Sequence, residues 1–189
     1  NAGFQMNFSN MNSVADTAHF LIAYPQGTLI TSTVPNIPPQ GLGWNVSLES
    51  DTVFVSPGGV DDVDFIGQVI DSIQAEYRVA PDRVYATGFS NGGMMSHLLA
   101  LKLSDRIAAI AAVGATLPRS QLAAQMETVS VPVFHIHGTA DPIVLYGDGD
   151  PFLASVAEIM EFWSDQNGCD MEPGISFLPD LTMADSSTL

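Results

Sequence analysis

The chain is poor in positive charge. Only five basic residues, Arg78, Arg83, Lys102, Arg106 and Arg119, stand against 21 acidic ones, for a formal net charge of −16 in 189 residues. So acidic a surface repels nucleic-acid phosphate and anionic lipid, so neither nucleic acid nor a membrane is an expected partner. The acidity otherwise reads as a habit of the surface. No apolar run approaches the ~20 residues that span a bilayer. Cysteine occurs once, as Cys169, which excludes a Cys-x-x-Cys metal site. A lone thiol suits a cytosolic protein; in a secreted one it implies a partner elsewhere. No signal peptide opens the chain at Asn1, so a secretion signal would lie outside these residues. Histidine is scarce too: His19, His97, His135 and His137 are the full set. His135 and His137 alternate on an apparent strand, but no third ligand accompanies them, so they read as strand packing and not as a metal site.

What is present suits one α/β domain over 1–189, with 46% apolar residues. The spacing predicts a helix over 4–18 (Phe4, Phe8, Met11, Val14, Ala15). Phe20–Tyr24 is an unbroken apolar run of strand length, as in a parallel sheet covered on both faces. Residues 26–59 are rich in Pro, Gly, Ser and Thr and read as one long loop that shapes a pocket. Val60–Val79 carries an apolar stripe at Ile66, Val69, Ile70, Ile73 and Tyr77. Asp61, Asp62 and Asp64 crowd its first turn, where they cap the helix and meet its dipole. Strand 83–87, a helix from Met94, strand Ile107–Val113, strand Val131–His137 and a helix over 151–166 follow. Residues 116–130 are indeterminate and the tail from Asn167 is loop-like. Strands alternating with helices at this spacing predict a mostly parallel, doubly wound sheet.

Gly88-Phe89-Ser90-Asn91-Gly92 falls between a β-favouring and a helix-favouring run. A Gly-x-Ser-x-Gly pentapeptide there places its serine on a sharp strand-to-helix turn, with the hydroxyl exposed above the sheet. Gly88 and Gly92 are expected to make room for that turn. The backbone N–H of Asn91, at a helix N-terminus, can stabilise a developing oxyanion. A serine hydroxyl needs a base oriented by a carboxylate. Asp141 follows a buried strand two elements after the turn, in the chain order Ser, then Asp. None of the four histidines follows Asp141, and none reads as the base. His97 lies seven residues into the helix after Ser90, roughly 10 Å along its axis.

Tyr24-Pro25-Gln26-Gly27, Gly43-Trp44-Asn45, Gly88-Phe89-Ser90-Asn91-Gly92-Gly93-Met94-Met95, His135-Ile136-His137-Gly138-Thr139-Ala140-Asp141 and Trp163…Asn167-Gly168-Cys169 come in a shared order. In that order the chain resembles the polyhydroxybutyrate depolymerase and feruloyl esterase (LpqC-type) group of α/β-hydrolases. The resemblance implies an α/β-hydrolase fold truncated at both ends. It implies Ser90 as nucleophile, Asp141 as triad acid, the Asn91 amide as one oxyanion donor and Trp44 near the substrate. It implies no cofactor, a secreted location and carboxylic esters as substrates: hydroxyalkanoate polymers, feruloyl or acetyl esters. It places a second oxyanion donor before residue 1, and the triad histidine and a partner for Cys169 after residue 189. A serine peptidase or acyltransferase on the same scaffold, and a catalytically dead binding module, are the alternatives. Tyr146–Asp150 reads as a solvated acidic loop.

Overall fold

The computed structural model describes residues 1–34, 37–47, 53–123, 129–170 and 172–178. Residues 35–36 and 48–52 of the expected loop, part of 116–130 and most of the tail lie outside the described residues. The chain opens on two helices, α1 (Ala2–Ser9) and α2 (Met11–Ala18), and not on one over 4–18. Asn10 separates them at φ 50, ψ 26, a left-handed conformation that asparagine tolerates better than most side chains.

The run Phe20–Tyr24 is not a strand. Phe20 and Leu21 are 41% and 55% exposed, and the run makes no ladder among the described residues. The first ladder comes just after it. β1 (Thr28–Ser32) pairs antiparallel with β2 (Gln40–Gly43) on one side and β3 (Phe54–Val55) on the other. Three short strands thus run through the described part of 26–59, where composition suggested one long loop. The central strand, Thr-Leu-Ile-Thr-Ser, is β-favouring, but Pro and Gly on either side dominate the composition.

α3 (Asp62–Glu76) begins where Asp61 accepts the Asp64 amide at 2.9 Å, and buries Ile66 and Ile70. β4 (Tyr85–Phe89), α4 (Asn91–Lys102), β5 (Ala109–Val113), α5 (Arg119–Ala123), β6 (Val133–Ile136) and α6 (Val156–Asn167) follow. β4, β5 and β6 form a parallel sheet in that order, with Phe89, Val113 and Ile136 in register. Their C-terminal ends therefore share one edge. α6 starts at Val156 and not at 151 because Ser155 and Glu158 form a reciprocal capping box.

α4 is the centre of the core. Gly93 to Leu101 are all buried, as expected of a helix that is apolar all round. Ile66, Ile70, Met94, Leu98, Ile110, Ile159 and Trp163 belong to one cluster, and so do Ile30 and Phe54 from the antiparallel sheet and Val46 just after β2. Both sheets thus share a core. On the opposite face of the parallel sheet Phe8 of α1 packs on Phe89, with ring centroids 5.3 Å apart. Tyr85, Phe134 and Ile136 remain exposed there.

A row of rings crosses the core from α6 to β6. Trp163 Nε1–H donates to His97 Nδ1 at 3.0 Å. His97 faces His135, and His135 stacks on His137, at centroid separations of 6.2 and 5.3 Å. Burial, reinforced by His135, lowers His97 to about 3, and burial, reinforced by His137, lowers His135 to about 4. The unfolded chain protonates histidine near 6.5. Between these values the unfolded state binds more protons, so stability is full above about pH 6.5 and falls as the pH drops towards 4. His97 alone contributes up to about 1.4 kcal/mol per pH unit to that slope. Urea unfolding followed between about pH 7 and about pH 5 should show this loss, and His97→Gln should flatten the slope by up to one proton. An unchanged slope would contradict a buried neutral His97.

Candidate active site

Ser90 joins β4 to α4 at φ 53, ψ −124, a conformation that costs a non-glycine residue about 1–3 kcal/mol. The neighbouring strand and helix hold it there. Its N–H donates to the Val113 carbonyl at 2.9 Å, and its carbonyl accepts from Gly93 at 2.8 Å and Met94 at 3.0 Å. The residue is half-buried. The Asn91 and Gly92 amides open α4, where helix geometry offers no internal acceptor.

The glycine requirement differs in part from the sequence expectation. A Cβ on Gly88 would collide with the Gly92 and Gly93 backbone. A Cβ on Gly93 would lie 2.6 Å from Ala115 Cβ and 2.9 Å from the Gly88 carbonyl. Gly92 has nothing within 4 Å of the same position. The crowded pair is therefore Gly88 and Gly93, because α4 presses on β5 one residue later than the pentapeptide suggests.

Asn91 has a second task that its place in the motif does not disclose. Its side-chain Oδ1 accepts the Trp44 N–H at 2.7 Å, and its Nδ2 donates to the Trp44 carbonyl at 3.0 Å. The amide acts as a strand partner for the residue after β2. The next two residues are tied likewise. Asp62 Oδ2 accepts the Asn45 N–H at 2.7 Å, and Gln121 Nε2 donates to the Val46 carbonyl. Burial raises the Asp62 carboxyl above its ordinary value, the Asn45 amide opposing this and Asp61 adding to it. The Trp44 ring stacks on Phe65 at 6.5 Å and is not among the residues lining the cleft. Trp44 enters the site through its backbone.

Asp141 follows β6 at the same sheet edge. Its Oδ1 accepts the amides of Ile143 at 2.9 Å and Val144 at 3.1 Å, so the turn occupies one oxygen. Oδ2 stands 3.7 Å from His137 Nε2, beyond hydrogen-bond range. His137 Nε2 instead donates to the Val144 carbonyl at 2.7 Å. Between Ser90 and Asp141 lies the end of β5, where Gly114 takes φ 56 and presents no side chain. A Cβ there would be 3.7 Å from Asp141 Oδ2. Two strand spacings, about 10 Å, separate β4 from β6, room for an imidazole to stand above β5. None of the chain's four histidines hydrogen-bonds Ser90 among the described residues. His19 is exposed at the end of α2, and the other three are engaged in the ring column.

A cleft of about 280 Å³ opens beside Ser90 and Asn91, walled by Ile30, Gly41, Leu42 and Phe54 of the antiparallel sheet and by Ile143. No ionisable side chain lines it among the described residues. Sequence reading missed these sheet residues, because their strands were hidden in apparent loop. A serine beside the first amides of a helix, and a carboxylate with one oxygen outside the hydrogen bonds of its own turn, are two of the parts that acyl transfer requires.

Comparison with known proteins gives the family and the fold. A sequence family described as phospholipase/carboxylesterase matches residues 58–166, more than half of the chain. The chain is 38% identical over 135 residues to NocK of Nocardia uniformis subsp. tsuyamanensis, provisionally named an esterase. It is 29% identical over 150 residues to the bifunctional acetylxylan esterase/xylanase XynS20E of Neocallimastix patriciarum, and 32% over 146 residues to feruloyl esterase B of Piromyces equi. These alignments cover 71%, 79% and 71% of this chain but only 35%, 19% and 26% of the relatives. The chain thus spans about a third or less of their length. A crystal structure of a SOBER1 variant from Arabidopsis thaliana shares the fold, with a TM-score of 0.61 at 17% identity over 86% of this chain and 79% of that one. The α/β-hydrolase fold expected from the sequence is the fold observed.

Substitution separates the glycines. Gly88→Ala and Gly93→Ala should each destabilise the protein and distort the turn, whereas Gly92→Ala should melt within a few degrees of the parent. Asn91→Ala should cost about 1–3 kcal/mol for two lost hydrogen bonds. Thermal melts of the four variants check this, and a Gly92→Ala variant as damaged as Gly88→Ala would contradict the assignment.

Proposed function

We propose that this chain, which belongs to the phospholipase/carboxylesterase family, is a serine esterase working through an acyl-enzyme. The observation that carries the reading is the forced backbone of Ser90, which sets the residue beside the Asn91 amide at the start of α4 and a cleft with no ionisable side chain among its described lining. Ser90 Oγ attacks the ester carbonyl, and its proton passes to a histidine held in orientation by Asp141 Oδ2. The Asn91 N–H meets the charge that develops on the carbonyl oxygen. The tetrahedral adduct expels the alcohol, which takes the proton from that histidine. Water, deprotonated by the same base, attacks the acyl-Ser90, and the carboxylic acid leaves as the hydroxyl is restored. The reaction so written needs no cofactor. The base would come from sequence outside these 189 residues, since the four histidines present are placed elsewhere.

Hydroxyalkanoate, feruloyl and acetyl esters are the proposed substrates. The names of the acetylxylan and feruloyl esterase relatives support the last two, and the resemblance noted in the sequence supports the first. Secretion belongs to the same proposal. Trp44 serves the site by carrying β2 against the turn.

Ser90→Ala in the full-length protein should lower hydrolysis of p-nitrophenyl butyrate by at least about 10³-fold, with circular dichroism unchanged. Asp141→Asn should cost about 10⁴-fold by orienting the base wrongly. A fluorophosphonate probe should label the parent and not Ser90→Ala. Undiminished turnover in Ser90→Ala would refute the assignment.

A further inference from the structure

We propose that Gly41 sets the size of the acyl group this site accepts, and that the cleft it faces takes compact, uncharged acyl groups. The inference rests on the serine-esterase reading above and adds a specificity position to it.

Directly opposed residues of an antiparallel pair share a face of the sheet. Gly41 opposes Ile30, and Phe54 opposes Ser32. Ile30 and Ser32, like Gly41 and Gly43, lie two residues apart on one strand, so all five residues share one face. That face looks onto the turn after β4, because a Cβ on Gly43 would stand 2.8 Å from Asn91 Oδ1 and 2.5 Å from Ile30 Cδ1. Gly43 is thus closed: any side chain there would displace the Asn91–Trp44 pairing. Gly41, one pair along the same face, is open, and a Cβ there meets nothing within 4 Å. Its backbone is not in the left-handed region, so a larger residue fits without strain. Each added carbon at position 41 would enter the cleft.

The leaving alcohol must collect a proton from the base that Asp141 orients. Asp141 stands beyond β5 from Ser90, whereas the β1–β2 face reaches Ser90 through Asn91. The cleft also touches Ile143 of the Asp141 turn, so the alcohol is assigned to that end and the carbonyl's own substituent to the sheet end, against Gly41, Ile30 and Phe54. The cleft, about 280 Å³, lies at the small end of ligand pockets, which run from about 300 to about 1,000 Å³. A short or branched chain or one aromatic ring fits between its walls; a long fatty chain would run past them into solvent, because the cleft is open on one side. Among the described residues the lining offers no ionisable side chain to pair a charged acyl group, which would enter at a desolvation cost.

The test compares full-length parent, Gly41→Ala and Gly41→Leu on p-nitrophenyl acetate, butyrate, benzoate and palmitate. The parent should favour butyrate or benzoate over palmitate. Gly41→Leu should lower kcat/KM for butyrate and benzoate relative to acetate by about tenfold or more, the scale of a few misplaced methylenes in an apolar pocket. Gly41→Ala should fall between. A folded Gly41→Leu protein whose ratios stay within about twofold of the parent overturns the inference, as does a parent that prefers palmitate. If Gly41→Leu does not fold, the ratios in Gly41→Ala decide, together with the rates at which ethyl and octyl fluorophosphonates label it. Ratios equal to the parent's again overturn the inference. A parent that neither hydrolyses any ester nor reacts with fluorophosphonate strikes instead at the esterase reading.

Discussion

Three consecutive backbone units, at Trp44, Asn45 and Val46, have left β2 and have no strand to pair with. Buried amides and carbonyls must find partners. Here the partners are side chains from three different helices: Asn91 at the start of α4, Asp62 at the start of α3 and Gln121 in α5. The antiparallel sheet is thereby fastened to the parallel one at the residue next to the nucleophile. Without that fastening, the wall formed by β1 and β2 would have no fixed position relative to Ser90, and the cleft between them would have no fixed volume.

The same economy governs the turn itself. Ser90 occupies a backbone region that a free serine avoids, and two close approaches hold it there. Gly88 passes the backbone of Gly92 and Gly93, and Gly93 passes Ala115 just after β5. A third glycine, Gly114, ends β5 in the left-handed region and keeps clear the space between Ser90 and the Asp141 turn. α4 continues from this point as the most buried helix of the domain, so strain at the turn is offset by packing along the helix behind it. The ring column from Trp163 to His137 then links that helix to the Asp141 turn, through the His137 bond to the Val144 carbonyl.

The elements best read from sequence were those whose own residues carry their reason. α3 shows its apolar stripe and its Asp61 cap; β5 and β6 are short apolar runs; the turn after β4 has its serine between glycines. The misreadings have local causes too. Asn10 broke a helix through a conformation that periodicity does not record. Phe20–Tyr24 looked like a covered strand, but a strand is defined by its neighbours, and it has no ladder. β1 to β3 were masked by the prolines and glycines around them. Asp62 was read as one of three equivalent acids, yet Asp61 caps the helix while Asp62 is buried to hold Asn45.

By itself the sequence determined an α/β chain with a serine on a strand-to-helix turn and a carboxylate after a later strand. Those features follow from short-range patterns of apolar spacing, glycine and helix-start chemistry. The tertiary structure alone decided that Ser90 and Asp141 share a sheet edge with an empty glycine position between them. It alone decided that Asn91 grips Trp44, that Gly93 and not Gly92 is crowded, and that Gly41 looks into open space. Each depends on distances between residues far apart in the chain, and such distances are set by how sheets and helices pack, not by the order of the residues that form them.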